Sequence, residues 1–194
     1  NIRMAIEYSR VLRTLARRGL APIQEFKDPG GSGDLLTEVR LEKCRCALAR
    51  GARLQATDLA DQVIEQANAD RQVRWVAEAQ CLRARSTEDL RSLRIWSRLH
   101  QSLCRTESYR EAAVVAGIES AESALRLGNE KMARQEISLL VDEARVHCRG
   151  QLPRALLLLA RCEAGAGWIR SAANYLEEAL SLDGPAGIVA WEGN

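Results

Sequence analysis

The sequence predicts an all-α protein built from stacked antiparallel helix hairpins. Two observations carry this prediction: a composition that favours helix, and a hairpin pattern that recurs about every 39 residues. The chain has 194 residues, of which 46% are hydrophobic and 28% charged, with only four prolines. Ala, Leu, Arg and Glu are strong helix formers, whereas the β-branched runs that favour strands are scarce. Because one hairpin cannot bury its apolar face alone, we expect the copies to share a continuous core.

Residues 1–33 are predicted to form an N-terminal helix followed by a flexible loop. The start, NIRMAIEYSRVLRTLARRG, is amphipathic with charges throughout, unlike a secretory signal. No apolar run reaches the roughly 20 residues that span a bilayer. GGSGDLL is rich in glycine but lacks the Lys-Ser/Thr of a phosphate loop, so we interpret it as a loop. The sequence therefore predicts a soluble, cytoplasmic protein with no membrane partner.

Residues 34–194 are predicted to form about four hairpins in one continuous domain. The hairpins align on the residue that follows each helix–helix turn, which we call the marker. Steps of 37, 40 and 39 residues separate the four markers Ala56, Leu93, Ala133 and Ala172. Such a recurrence is typical of a helical-hairpin array. It predicts that Ala56, Ala133 and Ala172 are buried where helices cross.

Three further columns agree with this register. Twelve residues before the markers lie small residues: Cys44, Cys81, Ala121 and Ala160. Nine residues before them lie three alanines and one glutamate: Ala47, Ala84, Ala124 and Glu163. Five residues before them lie three glycines and one glutamate: Gly51, Glu88, Gly128 and Gly167. Glycine suits a tight turn between helices, so the last column marks the turns.

The six cysteines lie at positions 44, 46, 81, 104, 148 and 162 without any CxxC pair. Reduced thiols in a cytoplasmic protein are the simplest interpretation, with Cys44 and Cys81 as small groups at helix crossings. A metal site is the alternative, since Cys44 and Cys46 form CxC and His147 adjoins Cys148. Residues i and i+2 of a helix face different sides, however, and zinc ligands are usually spaced more widely. We therefore predict no metal ligands.

The fourth hairpin, RALLLLARCEAGAGWIRSAANYLEEALSLDGP, resembles the tetratricopeptide repeat. Its small and apolar residues fall on the positions of that motif: Leu159, Ala160, Ala172, Leu176, Ala179 and Leu180. The resemblance implies a right-handed superhelical α-solenoid. Three features depart from the motif: a period near 39 instead of about 34 residues, Glu163 at a usually aromatic position, and Leu93 in place of a small residue.

The ALARG turns and the ending LEEALSLDGPAGIVAWEGN resemble the MalT-like helical repeat region of large LuxR-type transcriptional regulators. VLRTLARRGL and VRLEKCRCALARG are similar to earlier repeats of that family, with FKDPGGSGD as an insertion, so the resemblance covers roughly residues 9–194. It implies an effector-receiving or protein-interaction domain, which couples a small-molecule inducer or a regulatory protein to DNA binding elsewhere. Self-association is compatible with this role.

The chain starts without Met and ends at WEGN, so we interpret it as a domain excised from a longer protein. The family resemblance then implies an N-terminal module that binds ATP and a C-terminal helix-turn-helix that binds DNA, both outside this sequence. The repeat domain itself is expected to need no cofactor. The alternative is a free-standing adaptor that binds a peptide or a partner helix in its groove.

Catalysis is not predicted, and no catalytic residue is proposed. His100 and His147 fall on predicted helices without a Ser or Asp arrangement around them. The sequence has no nucleophile elbow, metal triad or dinucleotide fingerprint. We therefore expect a binding protein and not an enzyme.

Tetratricopeptide geometry also implies a groove lined by the second and ninth positions of each first helix. Carried onto this sequence, these positions are Glu38, Arg45, Trp75, Leu82, Val115, Glu122, Arg154 and Arg161. An aromatic ring, apolar groups, arginines and carboxylates together suit a small polar ligand such as a sugar, or an acidic peptide. Alternatively, these side chains pair with one another across adjacent hairpins. The first interpretation predicts that Trp75, Arg154 and Arg161 serve binding and not folding.

RSLRIWSRLHQSLCR places a basic stripe on one helix: Arg91, Arg94, Arg98 and Arg105. The opposite, apolar face is predicted to be buried and contains Leu93, Trp96, Leu99, His100 and Leu103. Arginines along a helix can track the phosphates of a nucleic acid. The net charge of only +2, from 28 basic and 26 acidic residues, favours the other interpretation, a stripe that is solvated or paired with an acidic helix.

Overall fold

A computed structural model describes residues 34–183, and throughout this range the chain forms helices joined by short turns. The helices are α1 Asp34–Ala49, α2 Arg53–Ala69, α3 Val73–Ser86, α4 Leu90–Thr106, α5 Arg110–Arg126, α6 Glu130–His147, α7 Leu152–Gly165 and α8 Ile169–Asp183. A short 3-10 helix, Arg149–Gln151, precedes α7. Between residues 34 and 183 there is no strand, so the all-α prediction is confirmed there. The predicted N-terminal helix and loop, and the segment after Asp183, lie outside the described residues.

We call the odd-numbered helices A helices and the even-numbered ones B helices. Each A helix ends with the same backbone turn. Gly51, Gly128 and Gly167 have φ of +73°, +81° and +83°, and Glu88 in the same column has +57°. In the first turn the N–H of Ala52 donates to the carbonyl of Ala47 at 2.9 Å, and the other three turns repeat this bond. This is the Schellman pattern, which caps the last carbonyls of a helix and favours glycine at the left-handed residue. The predicted turn column is therefore confirmed, including the position where glutamate replaces glycine.

The turns that lead from a B helix to the next A helix were not predicted in detail. Two of them use the same device with non-glycine residues, since Arg71 and Ser108 have φ of +55° and +65°. The third turn differs, because Cys148 has φ of −141° and ψ of 55° and the 3-10 helix follows it. Pro153, at the second position of α7, suits this start because the first N–H groups of a helix have no partner within it.

Within residues 34–183 the chain forms two compact units, which meet between Ser92 and Leu93 in sequence. In the first unit α2 packs against both α1 and α3, around a small-residue core that includes Cys44, Ala56, Ala60 and Val63. The Cys44 thiol donates to the carbonyl of Ala56 at 3.2 Å, so the two predicted crossing positions are in direct contact. The continuity of residues 34–194 as one domain stays a prediction.

In the second unit α5, α6, α7 and α8 pack against one another in order. Its core contains Ile118, Ile137 and Leu156, all fully buried. The two alanine markers of this unit, Ala133 and Ala172, are 0% and 5% exposed. Ala56 in the first unit is also 0% exposed. The predicted burial of these three alanines is therefore confirmed.

Gly117 allows α5 to approach its neighbours closely. A Cβ placed on this glycine would lie 2.8 and 2.9 Å from the two methyl carbons of Leu140 on α6, and 2.5 Å from Nε2 of Gln101 on α4. Contacts between carbon atoms are normally about 3.5–4.0 Å. The absence of a side chain at Gly117 is therefore a packing requirement that the repeat columns did not indicate.

Successive A helices contact each other within each unit, α1 with α3 and α5 with α7. Among the described helices of the second unit, the backbones of α6 and α8 make no such contact. The B helices there are consequently spread apart over the intervening α7. None of the helices within residues 34–183 is long and apolar enough to cross a membrane.

Candidate functional site

The first unit contains four of the predicted groove residues, on α1 and α3. Arg45 forms ion pairs with Glu42 on its own helix and with Glu78 on α3. Trp75 is half-buried, packs against the core, and lies under the guanidinium of Arg74 at 3.7 Å from the ring centre. Leu82 is only 4% exposed and belongs to the core, so it packs beneath the predicted groove and does not line it. Glu38 is half-buried on α1.

The second unit contains the other four groove residues, on α5 and α7. Glu122 and Arg154 form an ion pair of 3.3 Å between these two A helices. Val115 is half-buried and Arg161 is exposed. The structure thus brings Glu122 and Arg154 together in the way that the pairing alternative predicted. No ligand contact is needed to account for that pair.

The basic stripe of α4 is partly neutralised by α6. Arg94 lies 2.9 Å from a carboxylate oxygen of Glu136, and it also donates to the carbonyl of Ser120 at 3.0 Å. Arg105 pairs with Glu143 at 2.7 Å. These two arginines follow the paired interpretation, which the near-neutral composition favoured. Arg91 and Arg98 are exposed.

The apolar face opposite the stripe is only partly as predicted. Leu93 and His100 are buried, and Trp96 and Leu103 are half-buried. Leu99 is 39% exposed, so its predicted burial is wrong. Helical periodicity assigns a residue to a side of the helix, but how far the neighbouring helices extend over that side depends on their own lengths and side chains.

A cleft of about 850 Å³ lies in the second unit, between the B helices α6 and α8 and above α7. It exists because α6 and α8 are spread apart, as described above. Six of its lining residues represent all three helices: Lys131, Arg134, Leu139, Leu159, Glu163 and Tyr175. The volume falls within the roughly 300–1,000 Å³ range of small-molecule sites. None of these residues belongs to the predicted groove.

An ion pair between Arg134 and Glu163 stands at the wall of this cleft. The Nε–H of Arg134 donates to Oε1 of Glu163 at 2.7 Å, and Glu163 is only 4% exposed. The Arg134 guanidinium also lies over the ring of Trp168, 3.8 Å from its centre. Among the described residues, Oε2 of Glu163 has no hydrogen-bond partner. One carboxylate oxygen therefore fixes the arginine, while the other lacks a donor.

The repeat columns did not indicate this site, although Glu163 replaces an alanine in its column and an aromatic residue of the tetratricopeptide motif. A buried carboxylate in an otherwise small or apolar column requires a cationic partner. That departure was the available signal. The partner could not be named from spacing, because Arg134 lies on the preceding hairpin.

All six cysteines are buried thiols. Burial raises the pKa of the Cys44 thiol to about 12, and it also raises the pKa of Cys148 and of Cys162, which lines the cleft. The thiolate is the reactive form of cysteine, so these groups are poor nucleophiles at neutral pH. Within residues 34–183, no group of three or more His, Cys, Asp or Glu side chains is arranged to hold a metal ion.

Comparisons with protein-family models, with curated proteins and with solved structures give no match to this chain. Function is therefore inferred from the residues and geometry described above.

Proposed function

We propose that this chain is the effector-receiving or protein-interaction repeat domain of a LuxR-type transcriptional regulator. In this role it couples binding of a small-molecule inducer or a regulatory protein to DNA binding by another part of the full protein. The observation that carries the proposal is the backbone turn repeated at Gly51, Glu88, Gly128 and Gly167, which supports a helical-hairpin repeat. Repeat arrays of this kind serve as extended binding surfaces. The regulator family is supported by the resemblance of the sequence segments.

Ion pairs between hairpins offer a physical route for coupling. Arg45 and Glu78 join α1 to α3, and Glu122 and Arg154 join α5 to α7. In a repeat array each hairpin contacts only its neighbours, so stability and spacing are set by these nearest-neighbour interfaces. A ligand that favours one spacing of two hairpins therefore shifts the equilibrium of the array, provided that it binds the two arrangements with different affinity.

The coding sequence on both sides of this chain tests the regulator assignment directly. We expect a phosphate-binding loop upstream and a helix-turn-helix downstream. A reading frame that contains neither module would contradict the regulator and favour the adaptor.

The A-helix residues are tested by transcription in the full-length protein. Trp75→Ala, Arg154→Ala and Arg161→Ala are expected to reduce inducer-dependent transcription. Arg161 is exposed, so Arg161→Ala should leave the melting curve unchanged. Trp75→Ala should lower the melting temperature because its ring packs against the core, and Arg154→Ala loses the ion pair with Glu122, so both are compared at a temperature where they remain folded. Arg98→Ala, an exposed arginine on a B helix, is the matched control and should induce normally. Normal induction by all three A-helix variants would exclude this face as the effector site.

A free-standing adaptor is the second candidate, and the cleft favours it. Leu139 lines the cleft and is 72% exposed, and Trp168, whose ring lies against the Arg134 guanidinium, is 53% exposed. Exposed apolar groups with a polar rim mark protein contact sites.

A further inference from the structure

We propose that the cleft between α6 and α8 binds a peptide segment in which a carboxylate side chain lies beside apolar side chains, with Arg134 as the residue that receives the carboxylate. The inference rests on the proposed binding role and gives it a partner chemistry. It also places that partner on the B-helix side, away from the A-helix residues that the sequence predicted.

Arg134 is held in place before any ligand arrives. Its Nε–H is committed to Glu163 at 2.7 Å, and the face of its guanidinium is covered by Trp168 at 3.8 Å. A guanidinium fixed on one edge and one face still has its terminal N–H groups, which match the two oxygens of a carboxylate. The side chain of Arg134 is 35% exposed and lines the cleft, so part of it is accessible there. Pre-organisation of this kind lowers the entropic cost of binding.

Four charged side chains line the cleft: the cations Lys131 and Arg134, and the carboxylates Glu130 and Glu163. Lys131 lies one turn before Arg134 on α6 and is exposed, which adds a second cation. Glu163 is largely neutralised by its bond to Arg134. Its second oxygen, Oε2, has no hydrogen-bond partner among the described residues, and an unsatisfied buried acceptor is unfavourable. A peptide supplies backbone N–H groups, which are donors for such an oxygen after a small rotation of the carboxylate.

The cleft also presents apolar side chains, beside the polar lining residues Gln135 and Ser138. Leu139 from α6 is 72% exposed, Leu159 from α7 forms part of the floor, and the Tyr175 ring lies on the α8 side. Transfer of apolar side chains from water onto these groups would supply the larger part of the binding free energy. The terminal N–H groups of Arg134 and the apolar groups near them are locally complementary to a peptide that alternates acidic and apolar residues, although Glu130 and Glu163 balance the charge of the whole lining.

The probe is a short fluorescent peptide of alternating leucine and aspartate, with blocked ends so that only side-chain carboxylates are present. A second peptide has asparagine in place of aspartate. Binding to the full chain is measured by fluorescence anisotropy. We expect the aspartate peptide to bind about tenfold more tightly than the asparagine peptide, and Arg134→Ala to remove that difference. Arg134→Lys should retain only part of it, because lysine lacks the planar fork.

Arg145→Ala is the matched control. Arg145 also lies on α6 and pairs with a glutamate, Glu178 at 2.7 Å, but it does not line the cleft. We expect its peptide affinity to stay within about twofold of the parent. Because Arg134→Ala leaves Glu163 buried without its partner, the double variant Arg134→Met and Glu163→Gln provides a second test without a buried charge. It should fold and should show the same loss of binding.

Each other outcome overturns the inference. Equal affinity for the two peptides would show that the carboxylate is not recognised. Parent-like binding by folded Arg134→Ala, or by the folded double variant, would show that Arg134 does not receive the carboxylate. If the aspartate peptide did not bind the parent protein, the cleft would not be a site for such a peptide. If instead Arg154→Ala weakened binding and Arg134→Ala did not, the peptide would occupy the A-helix face. That result would leave the proposed function standing and reject only this site.

Discussion

Substitution of Gly117 by alanine tests the close approach of α5 to α6. The new Cβ would lie 2.8 and 2.9 Å from the methyl carbons of Leu140, so the two helices would have to separate by roughly 0.6 Å or more to reach normal contact distance. Overpacking of this kind costs about 1–3 kcal/mol. Alanine is favoured over glycine within a helix by about 1 kcal/mol, which opposes the strain. We expect a net loss of about 1 kcal/mol in the free energy of unfolding.

The sign of the effect should reverse when the obstacle is removed. In a Leu140→Ala background the methyl carbons are gone, and the remaining neighbour is the flexible amide of Gln101. Gly117→Ala should then stabilise the protein by about 1 kcal/mol, which is the propensity gain alone. The double-mutant cycle therefore predicts a coupling of about 2 kcal/mol between positions 117 and 140.

Urea unfolding followed by far-UV circular dichroism measures all four members of the cycle. Gly150→Ala is the control, because a Cβ at Gly150 meets no atom within 4 Å, and its effect should be below about 0.5 kcal/mol. The reasoning would be falsified if Gly117→Ala stabilised the parent, or if the effects of the Gly117 and Leu140 substitutions were additive.

Four further predictions concern single residues. Ala172→Glu introduces a charge at a position that is 5% exposed, so the urea midpoint should fall by the equivalent of about 3 kcal/mol, and an unchanged midpoint would show that the register is wrong. Glu88→Gly relieves a left-handed backbone at φ +57° and should stabilise the chain by about 0.5–1 kcal/mol, whereas a lower midpoint would contradict the strain. Hydrogen bonds from Ser92 lower the pKa of Asp89. The stability that Asp89 contributes is therefore present above the ordinary carboxyl pKa and is lost as pH falls through the lowered value. Asp89→Asn should abolish this part of the pH dependence of the free energy of unfolding, and an unchanged pH profile would contradict the prediction. Burial raises the pKa of Cys44 to about 12, so the native thiols should react with a chromogenic disulfide reagent only after unfolding, and protein purified without added metal should contain no stoichiometric zinc.

Local signals were sufficient to predict much of the fold. Gly51, Gly128 and Gly167 identified turns because a left-handed residue is needed there and glycine adopts that conformation without strain. The same spacing then placed Glu88 in a turn, although glutamate is not a residue type that favours the left-handed conformation. Ala56 and its equivalents followed from that register.

The cleft could not be predicted in the same way, because it depends on distances between helices that are not adjacent in the chain. The repeat columns gave no reason for Gly117 to contact Leu140, or for Arg134 to reach Glu163 on the next hairpin. The 3-10 turn after Cys148 replaces a turn that the repeat would place there, and its local sequence carries no glycine in the left-handed conformation. Periodicity specifies which side of a helix is apolar, whereas the width of a gap is set by the side chains on both of its walls.

The unequal contacts of A and B helices have a mechanical consequence for the second unit. The A helices α5 and α7 are in contact and form a hinge. The B helices α6 and α8 are connected only through side chains such as Arg145 and Glu178, among the residues described. A small rotation of one hairpin about the α5–α7 contact produces a larger change in the distance between α6 and α8. The Arg145–Glu178 ion pair spans this distance. It is partly exposed, so salt weakens it. A ligand that fills the gap would therefore set the angle between α6 and α8.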